Sequence, residues 1–203
     1  MKFILTLLLF PTLAFAKNFV PASFSANFEE SFKSVATGKE KKSYGKIDYK
    51  YPGQIRYEKT SPDVSSFFSN GKKSWYYVPP FVAAKEGQVT VQNSGKLPLT
   101  KFLDSIKNGI EGSKLFTSKY DGKNLTLMFN KDVQKEMTIK EVILHSSKDA
   151  KSVTRLAEFE SMTLVSEDGK KVLLKFLELK EDISFTGGHF DFKIPAKTKV
   201  VNN

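Results

Sequence analysis

The stretch from Tyr44 to Pro80, YGKIDYKYPGQIRYEKTSPDVSSFFSNGKKSWYYVPP, limits this chain more than any other part of it. Ile47, Tyr49 and Tyr51 alternate with Asp48 and Lys50, and Ile55 and Tyr57 alternate with Arg56 and Glu58. That period of two puts one set of side chains on each face of a half-buried strand and fits no helix. Pro52-Gly53 and Asn70-Gly71 supply the turns. Asn-Gly between two apolar runs is a hairpin signal, because both residues accept the positive φ that a tight turn between twisted strands needs. An antiparallel meander follows.

The same reading extends along the chain. Further strands are expected at Val64 to Phe68, Trp75 to Val78, Gln88 to Gln92, Asn124 to Phe129, Thr138 to His145, Leu156 to Val165, Lys171 to Leu179 and His189 to Ile194, with turns at Asp121-Gly122 and Asp168-Gly169. Many short strands with almost no helix between them predict a mainly β chain, a strongly curved antiparallel sheet or barrel. Between Phe19 and Phe32 the periodicity is open: Phe24, Phe28 and Phe32 recur every four residues, while Phe24, Ala26 and Phe28 alternate. From Leu97 to Ile110, Leu99, Phe102, Leu103, Ile106 and Ile110 mark one face of a helix, with Thr100 as a possible N-cap and Gly109 or Gly112 as a stop. Such a helix, set between two groups of strands, must lay its apolar side on the sheet as a lid.

Met1 to Ala16 has one basic residue, Lys2, an apolar run and an Ala14-Phe15-Ala16 ending, the form of a secretory signal cleaved after Ala16. Residues 17–203 then form the expected single domain, roughly 187 residues, enough for a sizeable core. The chain has no cysteine, so neither a disulfide framework nor lipidation of a mature N-terminal cysteine is available. The formal charge of +10 falls by one with Lys2, and its 32 basic residues are spread along the chain. Most sit one position from an apolar residue, as on the outer face of a sheet, and the densest run, Lys39 to Lys42, reads as a loop. No nucleic-acid partner is expected of an exported chain of this kind.

Catalytic constellations are scarce, and no catalytic, metal-binding or cofactor-binding residue is assigned. His145 and His189 have no carboxylate at ligand or triad spacing in the sequence, and neither H-E-x-x-H nor G-x-S-x-G occurs. Glu158 and Glu160, flanking Phe159, would share a strand face and read as a solvated pair. The aromatics carry the positive argument: 18 Phe, 7 Tyr and one Trp fill a core or line a hollow that few helices can close.

The order of elements, a Gly-led strand (Gly45), Pro-x-x-apolar-Arg-aromatic (Pro52 to Tyr57), a Ser-Asn-Gly hairpin (Ser69 to Gly71) and Trp-x-Tyr-x-Pro (Trp75 to Pro79), resembles the LolA-like family of periplasmic outer-membrane lipoprotein carriers. The C-terminal EDGKKVLLKFLELKEDISFTGGHFDFKIPAKTKVV resembles that family's last hairpin. The resemblance implies an incomplete β-barrel with a helical lid over its concave face. It also implies a monomeric periplasmic chaperone that binds acyl chains of lipoproteins in an apolar cavity. An inner-membrane ABC-type lipoprotein-releasing complex would load the carrier, and an outer-membrane acceptor would unload it. Arg56 matches the family's lid-closing arginine, a role that requires Ile55 and Tyr57 to face away from the cavity or to pack elsewhere; Tyr57 stands where the family's Trp is usual. The family's N-terminal helix has little room here and would be shortened or absent. Cavity and lid candidates are Tyr49, Trp75, Tyr77, Leu127, Phe129 and Phe176 on strands and Leu99, Phe102, Leu103 and Ile106 on the helix. A lipid-sensing regulatory module on the same scaffold is the alternative.

Overall fold

A computed structural model describes residues 18–34, 37–82, 85–92, 97–111 and 113–202. The expected leader, its cleavage point and Gly112 lie outside them. Among the described residues twelve strands form one sheet. The first six are β1 (Ser23–Lys33), β2 (Glu40–Lys50), β3 (Gln54–Ser61), β4 (Ser65–Asn70), β5 (Ser74–Val78) and β6 (Gly87–Gln92), followed by helix α1 (Pro98–Ser105). Then come β7 (Phe116–Asp121), β8 (Asn124–Phe129), helix α2 (Lys131–Met137), β9 (Ile139–His145), β10 (Ser161–Ser166), β11 (Lys171–Glu181) and β12 (Thr198–Asn202).

The spatial order is β12-β6-β5-β4-β3-β2-β1-β11-β10-β9-β8-β7. Two meanders meet where β11 pairs antiparallel with β1, and only β12 runs parallel to its neighbour, β6. The sheet is mainly β in the expected sense, curved and open, with β7 and β12 as its edges.

Parity divides its two faces. Phe24, Ala26 and Phe28 of β1, Ile47 and Tyr49 of β2, Ile55 and Tyr57 of β3, Leu125, Leu127 and Phe129 of β8 and Val142 and Leu144 of β9 enter one buried cluster together with α1. That is the inner face. A smaller cluster of Phe68, Trp75 and Val89, with Tyr77, Val91 and Phe192 against it, lies on the outer face. After β11 the chain crosses that outer face. Ser23 Oγ donates to the Ile183 carbonyl (2.8 Å), Asn70 Nδ2 donates to Asp191 (2.7 Å), and the Phe192 ring sits 5.0 Å from Phe68 and 5.2 Å from Tyr77.

One open reading is settled and several expectations are corrected. The ambiguous segment 19–32 is strand from Ser23, and among the described residues no helix precedes it. The helix expected over 97–110 stops at Ser105; Leu97 is its N-cap, Pro98 opens it, and the Thr100 hydroxyl is buried without a partner rather than capping. The strand expected at Leu156 to Val165 is a 3-10 turn at Leu156–Glu158 followed by β10, so Glu158 and Glu160 share no strand. His189 to Ile194 is irregular chain, and β11 and β12 do not pair as a last hairpin. Lys41 and Lys42 belong to β2, where Lys42 pairs with Glu29 at 2.7 Å. The strands β7 and β12 and helix α2 were not anticipated.

Candidate functional site

Helix α1 occupies the concavity. Pro98 fixes its first turn, where the missing N–H is no loss, and Leu99, Phe102 and Leu103 turn inward, followed by Ile106 at its C-cap. Phe102, Leu103 and Ile106 have no exposed surface. The Phe102 ring meets Phe129 of β8 edge-on at 6.2 Å. Helix α2, capped by Asn130 accepting from the Val133 N–H, lies beside α1 and adds Met137 to the same core. Lys101 reaches across to the Glu136 carbonyl (2.9 Å).

Polar contacts hold the C-terminal end of α1 to the sheet. The Asp104 carboxylate accepts from the Tyr49 hydroxyl (2.7 Å) and from the Gly53 N–H (3.2 Å) at the β2–β3 turn. Burial, then the hydrogen bond to Asp104, pushes the Tyr49 phenol far above its usual range, so it stays a donor. Just beyond the helix Lys107 is 6% exposed. Its ammonium donates to the Val20 carbonyl (3.2 Å) and lies over the Tyr51 ring at 5.5 Å. Burial lowers its pKa, with Asp182 opposing. Phe19 and Val20 are themselves buried, so this end of the concavity is sealed.

The other end is open. At the N-terminus of α1 a pocket of about 280 Å³ lies between Leu97, Pro98 and Leu99 on one side and Tyr57, Phe67, Tyr76, Ile139, Leu164, Val172 and Leu174 on the other. The strand register explains the wall: Tyr57 pairs with Phe67, and Phe67 with Tyr76, so the three rings form one row on the inner face. A volume near the lower end of ligand cavities, mainly apolar with a few polar groups, suits one flexible apolar chain entering end-on. Glu30 contributes the polar element, accepting from the Tyr57 hydroxyl (2.6 Å) and from Lys59 (2.6 Å).

The candidates from the sequence divide accordingly. Tyr49, Leu99, Phe102, Leu103, Ile106, Leu127 and Phe129 are buried together beneath and along α1, and Phe176 packs against them, 5.8 Å from Phe24. Of these only Leu99 lines the open pocket. Trp75 and Tyr77 are on the outer face under Phe192, because they share the parity of Phe68. Arg56 is there too: its guanidinium pairs with Glu58 (2.6 Å) and lies 5.2 Å above the Phe68 ring. The condition set by alternation is not met, since Ile55 and Tyr57 point into the core with α1, and Arg56 lies on the opposite face of the sheet. Glu30, Tyr57, Lys59 and Asp104 were missed. Parity alone exposes Tyr57: once Tyr49 is inside, its register partner Ile55 and therefore Tyr57 must be inside as well.

The histidines are structural. His145 lies between Asn124 (2.8 Å) and Thr163 (2.9 Å), and burial lowers its pKa. His189 Nε2 meets Asp48 Oδ2 at 2.8 Å, a carboxylate 141 positions away that sequence spacing could not reveal, and Ser25 donates to the other Asp48 oxygen at 2.6 Å. Asp48 thus separates the hydroxyl from the imidazole, so the trio has no nucleophile paired with a base.

The sequence model of the family described as outer membrane lipoprotein carrier protein LolA matches residues 21–193. The chain belongs to the LolA family. The outer-membrane lipoprotein carrier protein of Francisella philomiragia is 28% identical over 184 residues, covering 89% of this chain and 82% of that one. That of Yersinia enterocolitica is 25% identical over 173 residues, 85% and 78% of the two chains. Among solved structures, an uncharacterized conserved protein from Thermus thermophilus aligns over 90% of this chain and 91% of its own at 12% identity, with a TM-score of 0.49. A LolA superfamily protein from Nitrosomonas europaea aligns over 85% and 91% at 12% identity, with a TM-score of 0.45. LolA family proteins are periplasmic, non-enzymatic chaperones, and carrying lipoproteins is the role the family has.

Proposed function

We propose that this LolA family member, exported through residues 1–16, takes up the acyl chains of lipoproteins on the inner face of its sheet. It would carry them from an inner-membrane, ATP-driven releasing complex to an acceptor at the outer membrane. The observation that carries this reading is α1: a short helix whose apolar side chains fill the concavity, with a pocket already open at its first turn.

Magnitudes favour exchange. Burying Leu99, Phe102, Leu103 and Ile106 contributes roughly 1.5–3 kcal/mol each, so exposing all four would cost about 6–12 kcal/mol. A chain of about sixteen carbons gains about 12 kcal/mol at roughly 0.8 kcal/mol per methylene. Lid and ligand are closely matched competitors for one surface, so cargo can be both held and released. The Asp104 contacts to Tyr49 and Gly53, rather than Arg56, would weight the empty protein towards the closed state.

Mass spectrometry of protein purified from its native envelope without detergent tests this. Co-purifying triacylated polypeptides, transferable to acceptor membranes, are expected; free phospholipid alone, or an empty protein that takes up no triacylated peptide, would overturn it.

A further inference from the structure

The open pocket is mainly apolar; Ser65, Thr138 and Ser166 add hydroxyls, Glu30, Tyr57 and Lys59 meet at one side, and the only charged side chains among its lining residues are Glu30 and Lys59. Glu30 is 9% exposed and its two oxygens are engaged separately, one by the Tyr57 hydroxyl and the other by the Lys59 ammonium, both at 2.6 Å. Burial, then the charge of Glu30, drives the Tyr57 phenol well above its ordinary range, which keeps it a donor to that carboxylate. Among the described residues Lys59 bonds only to Glu30, which leaves two further N–H donors on its ammonium. A ligand head arriving here meets an ammonium whose charge is already balanced but whose hydrogen-bonding capacity is not exhausted.

We propose that the Glu30–Lys59 pair makes this pocket selective for acyl chains that end in an uncharged ester or amide, and sets it against free carboxylates. The inference rests on the acyl-chain reading of the same pocket. A carbonyl oxygen drawn out of water must find a donor, and the spare N–H groups of Lys59 supply it without adding charge. An amide N–H can also be accepted by Glu30. A fatty-acid carboxylate would instead place two carboxylates around one ammonium in a mostly apolar site, where like-charge repulsion and desolvation both count against it. Cargo whose chains are ester- or amide-linked would then be kept apart from the free fatty acids released by lipid turnover.

The test is competition against a fluorescent acyl probe on the full mature chain at pH 8, with dodecanamide, methyl dodecanoate and dodecanoate below their micelle concentrations. The amide and ester should displace the probe at concentrations at least about tenfold lower than dodecanoate. Glu30→Gln leaves the Lys59 charge uncompensated, and the preference should shift towards dodecanoate by about tenfold or more. If that variant does not fold, Lys59→Met serves instead: the carboxylate stands alone and dodecanoate should bind still more weakly against the amide. Equal binding of dodecanoate and dodecanamide by the parent, or an unchanged ratio in folded Glu30→Gln or Lys59→Met, would overturn the selectivity while leaving the acyl-chain reading intact. Failure of all three compounds to displace the probe, with no uptake of triacylated peptide, would remove both.

Discussion

Gly45 shows how a single residue sets the inner face. A Cβ there would lie 2.0 Å from the Glu58 carbonyl and 2.5 Å from the Phe28 ring, which passes over the glycine to stack on Tyr57 at 4.3 Å. Gly45→Ala should therefore destabilise the fold by about 3 kcal/mol, at the upper end of overpacking costs, read as a lower urea midpoint; an unchanged midpoint would mean that the ring does not cross there. Asp48 gives a pH prediction. Burial alone would raise its pKa, but hydrogen bonds from Ser25 and His189 and the charge and hydrogen bond of Lys46 outweigh it and hold the carboxyl below the usual carboxylate range. A folded value below the unfolded one adds stability that is complete above about pH 4 and is lost as pH falls through the folded value. Asp48→Asn should be less stable than the parent at pH 7 and should lose less on going to pH 3. Parallel acid profiles would contradict this. Strand parity was legible from Ile47, Tyr49, Ile55 and Tyr57, but which parity faces the lid was not, because aromatics stand on both faces. Trp75 and Tyr77 were misplaced for that reason.

At the scale of elements, α1 is tied down at one end and borders a pocket at the other, so on the proposed reading its attachment would control access. Tyr49→Phe removes a hydrogen bond to a carboxylate, roughly 1.5–3 kcal/mol of the closed arrangement, while keeping the ring in the core. Acyl-ligand affinity should rise about tenfold or more, since the ligand no longer competes with that contact, and titration of the variant with a triacylated peptide checks it. Arg56→Leu, on the outer face, should leave the same titration unchanged. The helix was visible in the spacing of Leu99, Phe102, Leu103 and Ile106; its early stop was not, because Ile106 and Ile110 continue the apolar pattern beyond the last helical turn. Helix α2 escaped notice because Lys131–Met137 offers only Val133 and Met137 to the core. β12 is set by its parallel pairing with β6, a partner more than a hundred positions back that no local pattern encodes.

For the whole molecule, the open sheet with one sealed end and one open end gives a direction to binding. On the proposed reading, ligand would enter beside Leu97 to Leu99, and α1 would yield from that end towards Asp104. Mainly β architecture and a single covering helix were readable from turn spacing and periodicity. The outer-face path of residues 183–197 was not, because it depends on Phe192 and His189 meeting partners far away in sequence. Amide hydrogen exchange of residues 17–203 with and without a triacylated peptide tests whether ligand displaces α1. Protection should fall across Leu99 to Ile106 on binding while β1 and β11 remain protected; unchanged or increased protection of α1 in the loaded protein would contradict the account.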